Sequence, residues 1–170
     1  MSATRTMGIS VTDVDTEAKL PLGFQYTQPA ETTNDIGEKT WTYIFNDDGT
    51  TAFAIGDIVV RDPTATTEDM YGCIQAPATT AAHAFTVVGV AQHTIAGGSY
   101  GFVQTKGKAL LRTGTENMTA DTVCTSGGSA AGCALIFANG TIGVIEIGFS
   151  LEAEAADATT FDAYINCLGA

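Results

Sequence analysis

The residues whose types and spacing come closest to a catalytic motif surround Ser99. Gly97-Gly98-Ser99-Tyr100-Gly101 matches the G-x-S-x-G pattern of a nucleophile elbow, in which a strained turn exposes a serine hydroxyl. That chemistry needs a helix directly after the serine and a histidine later in the chain. A β-rich run follows Ser99 instead, and both histidines, His83 and His93, precede it. The sequence therefore predicts a turn at this place, and we expect a protein that is not an enzyme.

Ligands for a metal ion or a cofactor are sparse. His83 and His93 have no acidic or cysteine partner at ligand spacing, so we expect surface or core histidines. Asp13-Val14-Asp15 begins like a calcium loop, but Ala18 occupies the position that such a loop gives to glycine. No glycine-rich phosphate loop precedes a helix. The sequence therefore predicts no cofactor and no metal site.

The cysteines do not form a metal or redox motif, because no two of them have C-x-x-C spacing. They are Cys73, Cys124, Cys133 and Cys167. Cys124 and Cys133 are close enough in sequence to be neighbours on adjacent strands, which would allow a disulfide. The N-terminal residues have no apolar segment of the kind that directs secretion, and this favours buried free thiols.

The charge balance argues against nucleic acid as a partner. The chain has 19 acidic and 7 basic residues, a net charge of −12, whereas nucleic-acid binding needs basic density on one face. Lys106, Lys108 and Arg112 form the one cationic cluster, and we expect a solvated strand edge there. No apolar run reaches the roughly 18 residues that span a bilayer, so we expect no membrane contact.

Short β-rich runs, separated by turn residues, predict an all-β fold, either a small barrel or a sandwich with hairpins. At its centre we expect a hairpin in which Val88–Ile95 and Tyr100–Val103 flank a turn at Gly97-Gly98. The second strand is expected to bend at Gly107 and to resume as Ala109–Arg112. Further strands are predicted at Thr40–Phe45, Thr51–Ala54, Ile58–Arg61, Tyr71–Gln75, Thr122–Thr125, Cys133–Phe137, Thr141–Leu151 and Phe161–Leu168.

Four glycines are the predicted turn formers: Gly49, Gly97, Gly98 and Gly140. Asp48-Gly49 and Asn139-Gly140 are dipeptides typical of a type I′ hairpin turn, in which both central residues have positive φ. The first would join Thr40–Phe45 to Thr51–Ala54, and the second would lead into Thr141–Leu151.

The chain is predicted to have two parts: an extended N-terminal arm over residues 1–28 and a single β domain over residues 29–170. The arm lacks a helical or strand period, and Pro21 excludes a helix interior near its end. It is either a loose terminus or a strap that lies on a partner. Trp41 and Tyr43 belong either to the core or to a subunit interface, and the core is the favoured prediction.

Several segments, taken in order, resemble the small β-rich decoration, or cement, proteins of bacteriophage heads. The shared pattern is an aromatic strand with a D-G turn, a G-D strand and a glycine-aromatic hairpin. It is found in Leu22-Gly23-Phe24, Thr40–Gly49, Ala54–Val60, Val88–Val90, Ile95–Val103, Asp121–Thr125 and Ile142–Glu146. This is a pattern of structural glycines and aromatic residues, not a catalytic signature.

The resemblance implies a structural virion protein on the outer surface of a phage head, assembled in the host cytoplasm. Such a protein would form a homotrimer and stabilise contacts between subunits of the major capsid protein. We expect the arm to contact the capsid through Pro21, Leu22 and Phe24, in the manner of a strand added to a sheet edge. The alternative is a module of a tail or fibre that adheres to a glycan on the host surface.

Overall fold

The computed structural model shows an all-β chain, which confirms the predicted fold class. The structure describes residues 8–30, 37–64, 71–78, 87–115, 117–126, 130–136, 146–155 and 159–167. Within these ranges there is almost no helix, and none long and apolar enough to cross a membrane. The strands are β1 (Gln25–Gln28), β2 (Lys39–Asn46), β3 (Ile58–Arg61), β4 (Gly72–Gln75), β5 (Val87–Val90), β6 (Tyr100–Arg112), β7 (Val123–Ser126), β8 (Ala134–Ile136), β9 (Glu146–Ser150) and β10 (Thr160–Asn166).

Five of these strands close into a barrel. The order runs β2-β4-β3-β5-β6, and β6 returns to pair with β2. The β2–β4 pair is parallel, whereas the other barrel pairs are antiparallel. Closure removes the unpaired backbone edges that an open sheet of five strands would leave.

The barrel interior is a small apolar core. Side chains alternate between the two faces of a strand, and each barrel strand supplies one buried side chain to this cluster. These five side chains are Ile44, Val59, Cys73, Val88 and Val103. Phe53, Ala91 and Ile95 complete the cluster from the connecting segments. Side chains therefore fill the barrel, as expected for so few strands.

β6 takes part in two pieces of sheet. Its first half pairs with β2 and its second half with β10. The register against β2 skips Thr105, and Gly107 has a φ of 101°. The strand therefore bends through a bulge beside Gly107, which confirms the predicted bend, and it then continues to Arg112 without the expected interruption. A bulge of this kind lets one continuous strand change its partner.

A four-stranded extension continues from the second half of β6, in the order β10-β9-β7-β8. A second apolar cluster lies between it and the outside of β3 and β5. Phe161, Ala163, Ile165 and Cys167 are buried at alternate positions, so the half-buried strand predicted at the end of the chain is confirmed through Cys167. Leu168 lies outside the described residues.

The N-terminal segment covers the outer face of β2 and β6. Trp41, Tyr43 and Phe102 form the base of this third cluster, with Val11 packed on them. Trp41 and Tyr43 are 5% and 1% exposed, which confirms that they belong to the core. The half-buried side chains that pack against the cluster are Ile9, Leu20, Leu22, Phe24, Tyr26 and Tyr100.

The hairpin predicted at Asp48-Gly49 was wrong. After β2 the Asp48 carboxylate accepts hydrogen bonds from the Thr50 and Thr51 amides, at 3.0 and 2.9 Å. This closes a local turn with no positive φ at either central residue, as a type I′ turn would need. The chain then leads to an isolated bridge between Phe53 and Ile95, and 51–54 forms no strand with β2.

A turn does lie at Gly97-Gly98. The Ser99 amide donates to the Ala96 carbonyl at 3.2 Å, and Gly98 has a φ of 70°, the geometry of a type II turn. The hairpin around it is less regular than expected, because β5 ends at Val90 and does not reach Ile95. The other predicted turn, Asn139-Gly140, and the first part of Thr141–Leu151 lie outside the described residues.

Replacement of Gly97 by alanine should destabilise the fold. A Cβ at this position would collide with the Asp48 carbonyl oxygen, a backbone atom that cannot move without moving the loop. We expect the free energy of unfolding in urea to fall by about 2–3 kcal/mol. Gly49→Ala is the matched control, since nothing lies within 4 Å of a Cβ there and the change should be almost neutral. Equal effects of the two changes would contradict this packing argument.

Candidate functional site

The predicted contact residues lie where the chain passes onto the outside of β2. The Gly23 amide donates to the Tyr43 carbonyl at 2.8 Å, and the Tyr43 amide donates to the Phe24 carbonyl at 2.9 Å. These bonds hold the segment next to the third apolar cluster. Pro21 is exposed, whereas Leu22 and Phe24 are half-buried against that cluster. Each of the three therefore has a fixed position on the molecule.

The segment continues into β1, an edge strand. Among the described residues, no strand pairs with the outer side of β1. Backbone groups of successive residues in an antiparallel strand point in opposite directions. Because the Phe24 carbonyl faces β2, the backbone groups of Gln25 and Thr27 point away from it. The outer side of β1 thus offers N–H and C=O groups to a further strand.

The cationic cluster predicted at Lys106, Lys108 and Arg112 is neutralised within the chain. Lys108 lies 2.6 Å from Asp162, and Lys106 lies 3.8 Å from Glu38. Arg112 is only 21% exposed and pairs with a buried carboxylate, so the expectation of a solvated edge was wrong for this residue. Because each cation already has an anionic partner, the cluster is poorly suited to bind phosphate.

The partner of Arg112 is Asp57, which is fully buried. One Asp57 oxygen lies 3.0 Å from Arg112 Nη2, and the other accepts hydrogen bonds from the Ala54 amide and the Gln75 side chain, each at 2.7 Å. Arg112 Nη2 also donates to the Ala131 carbonyl at 2.8 Å. Burial raises the pKa of Asp57, and the hydrogen bond from Ala54 and the charge of Arg112 oppose that rise.

This ion pair joins the barrel to the extension. Asp57 precedes β3 and Gln75 ends β4, whereas Arg112 ends β6 and Ala131 lies just before β8. Nothing in the sequence around Asp57 signals an ionic partner 55 positions later. A buried carboxylate held by three protein groups, Arg112, the Ala54 amide and the Gln75 side chain, has a structural role here, since no open surface leads to it.

The surroundings of Ser99 do not form a nucleophile elbow. β6 begins directly after it, at Tyr100, where an elbow would need a helix. Ser99 is 5% exposed, and its carbonyl accepts a hydrogen bond from the Asn46 amide at 2.8 Å. The prediction of a turn is confirmed at this position.

His93 is the histidine that the structure describes, and His83 lies outside the described residues. Both ring nitrogens of His93 are shielded from solvent and have no hydrogen-bond partner among the described residues. Burial lowers the pKa of His93, and the negative charge of Asp13 opposes this shift. No group of three metal-ligating side chains exists in the described part of the chain.

The four cysteines are buried and unpaired, which confirms the prediction of free thiols. Cys124 is opposite Ile136 in the sheet, not opposite Cys133. Burial raises the pKa values of Cys124 and Cys167 to about 12 and also raises the pKa of Cys73. These thiols are therefore protonated at neutral pH and serve as small apolar side chains.

A scan of the sequence against models of known protein families finds no match, and a search of curated proteins finds none that is similar. The resemblance to phage decoration proteins therefore rests on the residue pattern alone. The function that it implies is a proposal, which the geometry of the β1 edge can support and experiment can test.

Removal of the Asp57 carboxylate should be among the most damaging single changes. Asp57→Ala leaves Arg112 without its anionic partner in a place with little solvent, and we expect a loss of about 3–5 kcal/mol in the free energy of unfolding. Asp162→Ala removes the carboxylate of the half-exposed pair with Lys108 and should cost at most about 1 kcal/mol. Urea denaturation of both variants gives the comparison, and similar losses would contradict the structural role of Asp57.

His93 should make the protein less stable in mild acid. Its pKa is lower in the folded than in the unfolded chain, so below the unfolded value of 6.5 the unfolded chain binds the proton more readily. Stability should therefore fall as the pH drops below about 6.5, by at most about 1.4 kcal/mol per pH unit for one proton. His93→Gln should reduce this slope between pH 6.5 and 5. An unchanged slope, from urea denaturation at several pH values, would refute the assignment to His93.

Proposed function

We propose that this protein decorates the outer surface of a bacteriophage head and stabilises contacts between subunits of the major capsid protein. The observation that carries the proposal is the outer side of β1, on which no strand lies in the described part of the chain; β1 follows directly on the exposed Pro21 and the half-buried Leu22 and Phe24. A strand of a capsid protein that paired with β1 would extend the sheet across the boundary between the two proteins. This is strand addition, a common way to bind an extended segment.

Main-chain hydrogen bonds would supply part of the affinity, through the outward backbone groups of Gln25 and Thr27. Apolar contact would supply the rest, through the parts of Pro21, Leu22 and Phe24 that remain accessible. The segment is already held by its bonds to Tyr43, so little ordering entropy would be lost when it binds.

The charge of the molecule supports an external position. A net charge of −12 disfavours contact with packaged DNA and is compatible with an outward surface. A single added strand binds weakly, but many copies on one shell, and three contacts in each copy if the protein is a homotrimer, would act together. The trimer itself is proposed from the resemblance alone.

Thr27→Pro should weaken binding to heads that lack the protein by at least about tenfold, because proline removes the outward N–H that an added strand would use. The bonds between β1 and β2 involve the alternate residues and should survive. Thr27→Val is the matched control, because it keeps the N–H. Both variants lose the 3.5 Å contact between the Thr27 and Thr40 hydroxyls, so their difference isolates the backbone donor.

The measurement has two readouts on the same heads: saturable binding in a copy number allowed by icosahedral symmetry, and the temperature at which DNA is released. Parent protein and Thr27→Val should bind and raise the release temperature, and Thr27→Pro should do neither. Mass photometry of the free protein tests the homotrimer. If none of the proteins binds, or the release temperature is unchanged while adsorption to the host is lost without the protein, the tail or fibre adhesin becomes the better proposal.

A further inference from the structure

A row of four side chains, two of them aromatic, crosses the outward face of the extension. Four residues are direct cross-strand partners on neighbouring strands: Lys108 on β6, Tyr164 on β10, Phe149 on β9 and Val123 on β7. Phe149 is 42% exposed and is one of few large apolar side chains with that much accessible surface in the described part of the chain. Its ring stacks on Tyr164, with centroids 5.6 Å apart and planes inclined by 21°.

A bulge in β9 places a carboxylate beside these rings. Residues three apart on a regular strand face opposite sides, but Glu146 and Phe149 are both exposed. The register against β7 skips Ile147, so Ile147 and Gly148 are buried in succession and the next side chain points outward again. A Cβ at position 148 would collide with the Tyr164 carbonyl oxygen, so glycine is needed there. Bulges often re-aim side chains at functional sites.

The rings border a depression of about 320 Å³, which is at the lower end of the volumes of small-ligand sites, roughly 300–1,000 Å³. Its lining residues are Glu146, Gly148, Phe149, Tyr164 and Asn166. Gly148 provides a floor without a side chain, and the rings form one wall. The exposed Glu146 and Asn166 supply a hydrogen-bond acceptor and an amide that can both donate and accept.

This arrangement has the chemistry to bind a sugar ring. A pyranose has a face of C–H groups, which carry a partial positive charge, and hydroxyl groups around its edge. The face of an aromatic ring is electron-rich and attracts such C–H groups. Hydroxyl groups at the edge of the sugar could then donate to the Glu146 carboxylate and exchange hydrogen bonds with the Asn166 amide.

The charges around the depression favour a neutral sugar over an acidic one. Glu146 places a carboxyl group in the lining, and no lysine, arginine or histidine contributes to it among the described residues. The nearest cation along the row, Lys108, lies 2.6 Å from Asp162 and is already neutralised. A carboxylated sugar or a phosphate would therefore meet repulsion without a compensating positive charge.

We propose that the depression bordered by Phe149 and Tyr164 binds a neutral sugar residue of a glycan. The proposal goes beyond decoration of the capsid and does not depend on it, because this face is built from β9 and β10 whereas the proposed capsid contact uses β1. On a particle with many copies, individually weak sugar sites would bind a glycan-coated surface with high avidity.

The test is titration of the ¹⁵N-labelled full chain with the methyl glycosides of glucose, galactose, mannose and N-acetylglucosamine, with sialic acid as the acidic comparison. At least one neutral glycoside should shift the amide signals of residues 146–149 and 163–166, with a dissociation constant of about 1–10 mM. Phe149→Leu keeps an apolar side chain but no ring, and should bind at least about tenfold more weakly. Phe149→Tyr keeps the ring and should bind like the parent.

Three results would overturn the proposal: no shift by any neutral glycoside up to about 50 mM, equal binding by Phe149→Leu, or tighter binding of sialic acid than of the neutral sugars. A dimer that Phe149→Leu dissociates, without sugar binding, would instead assign this face to a second copy of the chain. Binding of Phe149→Leu to heads is measured in parallel and should equal that of the parent. The sugar proposal and the capsid proposal can therefore fail separately.

Discussion

The pairing of β2 with β6 is the constraint on which the rest of the structure depends. It closes the barrel, and so aligns the five side chains that fill the barrel interior. The outer face of the same two strands carries Trp41, Tyr43 and Phe102, against which the N-terminal segment packs. The part of β6 that continues beyond β2 supports the whole extension through β10. Each of the three apolar clusters therefore needs this pair in register.

Local patterns in the sequence were sufficient to find most strands but not their order. A short β-branched apolar run identifies β3 at Ile58–Arg61. Alternation from Phe161 to Cys167 identifies β10, because a half-buried strand has a period of two residues. The parallel pairing of β2 with β4 and the return of β6 to β2 depend on residues far apart in the chain, which have no local signature. The type I′ hairpin predicted at Asp48-Gly49 was wrong because the Asp48 carboxylate accepts hydrogen bonds from the Thr50 and Thr51 amides and so forms a different turn.

The candidate sites were less predictable than the fold. The sequence singled out Pro21, Leu22 and Phe24. The neighbouring sheet edge, which no other described strand covers, could be recognised only from the position of β1 in the sheet. Phe149 was missed because Thr141–Leu151 has the composition of an uninterrupted strand, and the bulge that turns Phe149 outward depends on pairing with β7. Asp57 and Arg112 were missed as a pair because an ion pair between distant positions leaves no period in the sequence.

The buried cysteines bear on how long the folded molecule can persist outside a cell. Thiolate, not thiol, is the form that reacts with oxidants. Burial raises the pKa values of Cys124 and Cys167 to about 12, so both are thiols at pH 7, and burial also limits the access of oxidants to them. Oxygen and disulfides in the surroundings therefore find almost nothing to attack while the fold is intact. Burial should therefore slow the oxidation of Cys124 and Cys167 when the folded chain meets an oxidising medium, although no disulfide protects them.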